Sequence, residues 1–151
     1  MSVLICYDGS PSAKHAISVV HATLGEEPVI LLHVWNPPAE FLADAFSTSD
    51  APAGPSLGKL EQLALDRAQA IAREGHDLAS ELGVAVEVRV ERNESSVWHT
   101  MLAVADEVDA KLLVIGTRGA TAVQSALLGS VSNAVIHHSA RPVLVVPSPA
   151  G

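Results

Sequence analysis

Five short apolar runs, four to seven residues long and dominated by Val, Leu and Ile, alternate with longer stretches whose apolar residues recur at helical spacing. That alternation predicts a βαβαβαβαβ order, which folds as one parallel sheet with right-handed crossovers and helices on both faces. Composition agrees: 48% of the residues are hydrophobic but only 3% aromatic. The core must therefore be built from Val, Leu, Ile and Ala, as in parallel strands covered on both sides by Ala-rich helices. A chain of 151 residues is expected to form a single domain over its whole length.

The boundaries follow from local chemistry. Val3–Tyr7 reads as the first strand. Ser10-Pro11 supplies an N-cap and a first-turn proline for a helix running to about Leu24, stopped by Gly25. Val29–Trp35 is the second strand, closed by Asn36-Pro37-Pro38. Residues from about Ala39 to Gly58 are mixed in character and rich in Ala, Ser and Pro, which predicts an irregular excursion. Leu60, Leu63, Ala64, Arg67, Ala68, Ile71, Ala72, Leu78, Ala79 and Leu82 mark a long amphipathic helix, interrupted in pattern by Gly75 and ended by Gly83. Val84, Val86, Val88 and Val90 alternate with Glu87 and Arg89, an edge-strand pattern. Ser96–Val108 is helical, Leu112–Ile115 a fourth strand, Ser130–His138 the last helix and Pro142–Val146 the fifth strand.

Several function classes are disfavoured. A formal charge of −8 argues against nucleic acid as a partner, because phosphate backbones need clustered Lys and Arg. The single cysteine, Cys6, permits no intrachain disulfide and, inside an apolar run, reads as a buried inert thiol. Ser2–Tyr7 is too short for a secretory apolar segment, and no stretch nears the roughly 20 apolar residues that span a bilayer. A cytoplasmic location without membrane contact is the expectation. His15 and His21 lack metal-ligand spacing, and no Ser/His/Asp or Cys/His set can be assembled, so neither a protein metal site nor catalytic residues are assigned.

The chemistry concentrates where strands end. Asp8, Asn36, Arg92 and Gly116 all fall at carboxyl ends of predicted strands, where ligands of open α/β sheets bind at the switch in strand order. Asp8 can accept a ribose hydroxyl or act as a turn residue beside a helix start. Gly116-Thr117-Arg118-Gly119 is followed after nine residues by Gly129-Ser130 at a helix start. Such a loop can aim several N–H groups at a phosphate. It lacks the lysine of a P-loop and the tight glycine spacing of dinucleotide folds. Arg118 can pair with phosphate oxygens, and Ser130 and Ser132 can offer hydroxyls, with Ser130 alternatively capping the last helix. Trp35 could stack on a base or cover the helix layer, the Val34 backbone is the better reader of an adenine edge, and His33 reads as a packed core histidine. His137 and His138 suit a helix C-terminus.

These residues resemble the universal stress protein family, of the ATP-binding kind, over nearly the whole chain. The likeness rests on Val3–Ser10, Leu31–Val34, Asp109–Gly119, Leu128–Ser132 and Arg141–Val146, and on the family's Gly-x2-Gly-x9-Gly-Ser/Thr motif, fulfilled at Gly116, Gly119, Gly129 and Ser130. The resemblance implies strand order 3-2-1-4-5 and a homodimer through the strand Val143–Val146. It also implies an adenine nucleotide: Asp8 and Val34 at ribose and adenine, Ile115 and Gly116 along the nucleoside, and Gly119, Gly129, Ser130 and Val131 at the phosphates. ATP with Mg2+ or Mn2+ held through the phosphates is the favoured ligand, and AMP or a cyclic nucleotide is the alternative. The protein is then expected to be a ligand-dependent regulatory module with an unidentified protein partner, the bound state ordering the Thr117–Leu128 loop. A slow ATPase on the same site, and a dimeric scaffold with a vestigial pocket, are the alternatives. Arg92-Asn93-Glu94 departs from the family's Gly-x-Pro after strand three.

Overall fold

The computed structural model describes residues 1–38, 56–117 and 128–149. Its elements are β1 (Ser2–Cys6), α1 (Pro11–Leu24), β2 (Val29–Trp35), α2 (Leu57–Glu81), β3 (Val86–Arg92), α3 (Val97–Glu107), β4 (Ala110–Gly116), α4 (Ser130–His138) and β5 (Val143–Val146). All strand pairs are parallel, in the order β3-β2-β1-β4-β5, as the alternation and the resemblance predict. None of the described helices is long and apolar enough to cross a membrane.

Side-chain alternation along β1 divides the core. Val3, Ile5 and Tyr7 pack on one face with Ala13, Ala16, Ile17 and Val20 of α1 and Ala79 of α2. Leu4 and Cys6 pack on the other with Val104 and Ala105 of α3 and Val135 of α4. The central strand is thus buried on both sides, so its sequence is continuously apolar rather than alternating. β3, at the sheet edge, keeps the polar alternation.

α2 meets the sheet through small residues. Ala68, Ala72, Gly75 and Ala79 form its buried seam, whereas Leu63 is 56% exposed. A Cβ at Gly75 would lie 3.0 Å from Leu31 Cδ1 and from two Tyr7 ring carbons. The mid-helix glycine is therefore a close-approach position, not a weak point in the helix. Over it, the Tyr7 hydroxyl donates to Glu74 Oε1, and Lys14 Nζ of α1 lies 3.5 Å from the same oxygen. β1, α1 and α2 are joined there. The Tyr7 hydrogen bond holds the Glu74 carboxyl below its ordinary value, with Lys14 assisting.

Removing the hydroxyl by Tyr7→Phe is expected to lower stability at pH 7 by about 1–2 kcal/mol, because the phenol is buried. Glu74 ionises more readily folded than unfolded, so its contribution is present above pH 4.5 and is lost as pH falls. Urea unfolding across pH 3–7 should show a shallower acid-side slope in the variant. Coincident curves would assign the contact no energetic role, and parallel, offset ones would refute its link to Glu74 ionisation.

Among the boundaries that differ from the sequence reading, two have identifiable reasons. β3 begins at Val86, not Val84, because the Val84 N–H is taken by Ala79 O of α2 at 2.9 Å, across Gly83 at φ +79°. β1 ends at Cys6, and of the sheet ladder Tyr7 keeps only its N–H bond to Leu32 O, 2.7 Å, as the chain turns away toward Asp8.

Candidate functional site

β1 and β4 are neighbours whose following helices diverge, β1 leading to α1 on one face and β4 to α4 on the other. A cleft of about 310 Å3 opens at their carboxyl ends, lined by Tyr7, Asp8 and Ser10 after β1, Ile115 and Gly116 of β4, and Gly129–Ser132 at the start of α4. Val34 of β2 and Cys6 also reach it. Eight of the ten residues singled out from the sequence (Asp8, Val34, Ile115, Gly116, Gly129, Ser130, Val131, Ser132) therefore line one cavity. Arg118 and Gly119, with the expected ordering of Thr117–Leu128, fall on residues 118–127, outside the described residues, as does most of the Ala39–Gly58 excursion.

The first turn of α4 is the polar wall. Gly129 is the N-cap, at φ −62° and ψ 160°, and the first helical bond runs from Asn133 N to Gly129 O, 2.9 Å. The N–H groups of Ser130, Val131 and Ser132 thus have no partner within the helix and carry the positive end of its dipole. Ser130 is the first helical residue rather than the cap. Ser132 lines the cleft, but its hydroxyl donates to Gly116 O at 2.7 Å. It faces the cavity with lone pairs, and its hydroxyl offers a phosphate no proton while that bond stands.

Asp8 sits at the opposite wall. Its Oδ1 accepts Ser10 N–H at 2.9 Å, with Gly9 at φ +80° making the turn. Ser10 in turn caps α1, accepting Ala13 N–H at 3.2 Å. The acidic side chain is both turn-forming and cleft-lining. Beneath it Cys6 is buried and its thiol is pushed up to about 12, first by burial and then by the Asp8 charge. The sulfur stays protonated and serves as apolar floor.

Gly116 is fixed by packing as well as by the cleft. A Cβ there would fall 2.1 Å from Ser12 Oγ and 2.9 Å from Ser12 Cβ. The sequence carries no local sign of this, because the contact joins the start of α1 to the end of β4.

Trp35 is buried and does not line the cleft. His138 stacks on Trp98 at 4.4 Å between ring centroids. The departure at Arg92-Asn93-Glu94 is a clamp between strand ends. Asn93 donates to Asn36 Oδ1 at 2.7 Å while its own Oδ1 accepts Ser95 N–H at 3.1 Å. Arg92 turns to Glu61 of α2, 3.0 Å away. Sequence reasoning missed Val97 and Met101, which bring one face of α3 to the cleft. Their i, i+4 spacing marks a helix face, but nothing local says which cavity that face meets.

The arrangement can take a ligand with an apolar planar end and an anionic end. Cys6, Val34, Val97, Met101 and Ile115 supply the first environment, and the α4 N-terminus the second. Among the described residues no cluster of His, Cys, Asp or Glu could hold a metal ion by itself.

Comparison with known proteins places this geometry. The model of the universal stress protein family matches residues 1–147. A Thermus aquaticus universal stress protein is 31% identical over 147 residues, covering 96% of this chain and 97% of its own. The Methanocaldococcus jannaschii universal stress protein MJ0577 is 30% identical over 156 residues, covering 95% and 93%. The solved structure of MJ0577 superposes with a TM-score of 0.76 over 99% of this chain and 97% of its own. A universal stress protein solved in complex with cAMP gives 0.65 at 25% identity, over 99% and 98%. An Arabidopsis thaliana family member with AMP bound shares the fold at 0.66 and 16% identity, over 99% and 93%.

Proposed function

The chain belongs to the universal stress protein family, and from that premise we propose that its cleft holds an adenine nucleotide and that the protein works as a ligand-dependent regulatory module. The observation that carries the reading is the convergence of Asp8 and the α4 first turn on one cavity that Cys6, Val34, Val97, Met101 and Ile115 line with apolar groups. Relatives of the same fold bound to cAMP and AMP support the choice of adenine. Ile115, Val97 and Met101 would flank the base, the Val34 backbone would read its edge, and Asp8 would accept the ribose hydroxyls. Gly116 would border the nucleoside. Gly119, Gly129, Ser130 and Val131 would take the phosphates, and Arg118 would pair with their oxygens.

ATP is the favoured ligand, with Mg2+ or Mn2+ carried on its phosphates. The donor set fits that division: the α4 N–H groups suit phosphate oxygens, and Asp8 is the one carboxylate among the described lining residues. Its Oδ1 is held by the Ser10 amide, which suits binding better than proton abstraction. Nucleotide binding would shift the population of Thr117–Leu128 conformers and so the surface offered to a protein partner. A homodimer through β5 is part of the proposal. β5 pairs only with β4 among the described residues, and an apolar edge strand favours such pairing.

Mass spectrometry of the small molecules released on denaturing the purified protein tests the reading, together with calorimetric titration of Mg·ATP, AMP and cAMP. An adenine nucleotide is expected. Asp8→Ala is expected to weaken its binding about tenfold, the scale of a charge-assisted hydrogen bond. No measurable affinity for any of the three in ligand-free protein would reject the function.

A further inference from the structure

His33 lies in β2, 7% exposed, with Nδ1 2.7 Å from the Tyr7 carbonyl oxygen. A carbonyl only accepts, so Nδ1 carries the proton. Burial lowers the imidazole's pKa from its ordinary value, which leaves the ring neutral at pH 7 and in this tautomer.

The bond sits at a particular point in the chain. The β1 ladder closes at Cys6–Leu32 toward β2 and at Ile5–Val114 toward β4. Tyr7 still donates its N–H to Leu32 O, but its carbonyl lies beyond the ladder, and the imidazole takes it. That carbonyl belongs to the same planar peptide unit as the Asp8 N–H. Holding it fixes the plane from which the Asp8 side chain departs. Gly9 then turns at φ +80°, and the Asp8 carboxylate accepts the Ser10 amide at 2.9 Å. The Tyr7–Ser10 hook therefore has two anchors, a side-chain donor at its entry and a backbone donor at its exit.

We propose that His33 is the positioning residue for Asp8: it stands outside the cleft and sets the direction of the ligand-facing carboxylate by holding the Tyr7–Asp8 peptide plane. The assignment rests on the reading of the cleft as a nucleotide site. It differs from a packing role in a measurable order of substitutions. Asparagine carries an N–H donor near the position of Nδ1, whereas leucine fills the volume without a donor and glutamine reaches toward the Nε2 position. Packing alone ranks leucine above asparagine. Positioning ranks asparagine first.

The experiment measures Mg·ATP and AMP affinity by calorimetry, and Ser10 amide hydrogen exchange by NMR, in wild type, His33→Asn, His33→Gln and His33→Leu, each with and without Asp8→Ala. His33→Asn is expected within about threefold of wild type and His33→Leu about tenfold weaker, the scale of one buried hydrogen bond. In the Asp8→Ala background His33→Leu should cause no further loss. The Ser10 amide should exchange about tenfold faster in His33→Leu, since its acceptor is no longer held. An equal loss in both Asp8 backgrounds, wild-type affinity in His33→Leu, or asparagine ranking below leucine would overturn the proposal. Should wild type bind no nucleotide, the reading of the cleft fails separately. The Ser10 amide then decides alone: unchanged exchange in folded His33→Leu overturns the positioning role, and faster exchange upholds it. His33→Gln serves in place of His33→Leu if the latter does not fold.

Discussion

Gly116→Val is expected to lower the unfolding free energy by about 3 kcal/mol, the upper range for overpacking a tight contact. The reason lies across the sheet from the cleft. A single added carbon at Gly116 would stand 2.1 Å from Ser12 Oγ, 2.9 Å from Ser12 Cβ and 3.2 Å from Ala13 N. The hydroxyl alone could rotate, but the Ser12 Cβ is held in place by the helix backbone and the Ala13 amide is part of it. That amide is held by the Ser10 cap, and Ser12 is 1% exposed. α1 must lift from β4 or β4 must shift. A shift of β4 reaches α4, because Gly116 O accepts the Ser132 hydroxyl. Urea unfolding of wild type, Gly116→Ala and Gly116→Val should show graded losses. Adding Ser12→Gly should recover part of the loss in the alanine variant. Wild-type stability in Gly116→Val would refute the close approach.

Gly129→Val is expected to do the opposite: to weaken nucleotide binding at least a hundredfold while changing stability by about 1 kcal/mol, the scale of an N-cap replacement. The backbone at Gly129 has φ −62° and ψ 160°, which any L-residue adopts, so no strain follows from the added side chain. What changes is the space. Gly129 lines the cleft directly before the first-turn N–H groups of α4. An isopropyl group at that position competes with the phosphate for the approach to the backbone. Calorimetry with Mg·ATP and AMP, paired with urea unfolding, separates the two outcomes. Equal affinity in variant and wild type would remove the phosphates from this helix terminus. The two glycines of one motif are thus expected to fail in different assays, one in stability and one in binding.

Much of the cleft was legible because its residues are tied to local rules. Strand-to-loop transitions at Asp8 and Gly116 follow from apolar runs meeting turn residues, and the α4 start follows from Gly129-Ser130 preceding a helical pattern. Once the strands alternate with helices, topology alone sends these ends to one side of the sheet. Val97 and Met101 escaped because a helix face is readable but its facing cavity is not. Asn93 escaped because its role requires Asn36, 57 positions away, to stand beside it. His33 was readable as buried, but its acceptor is a carbonyl 26 positions away.

The amino-acid sequence by itself determined the alternation of elements, the parallel sheet, the apolar composition of both faces and the spacing of the glycine motif. Periodicity, capping and turn chemistry act over a few residues, so they are written in the order of the residues. Tertiary structure alone decided what each motif residue touches. It brought Gly116 against Ser12, turned the Ser132 hydroxyl to Gly116, set Gly75 against Tyr7 and Leu31, and placed the His33 donor on the Tyr7 carbonyl. Those contacts join positions distant in the chain, and their geometry exists only once the sheet has closed its register and the helices have settled on it.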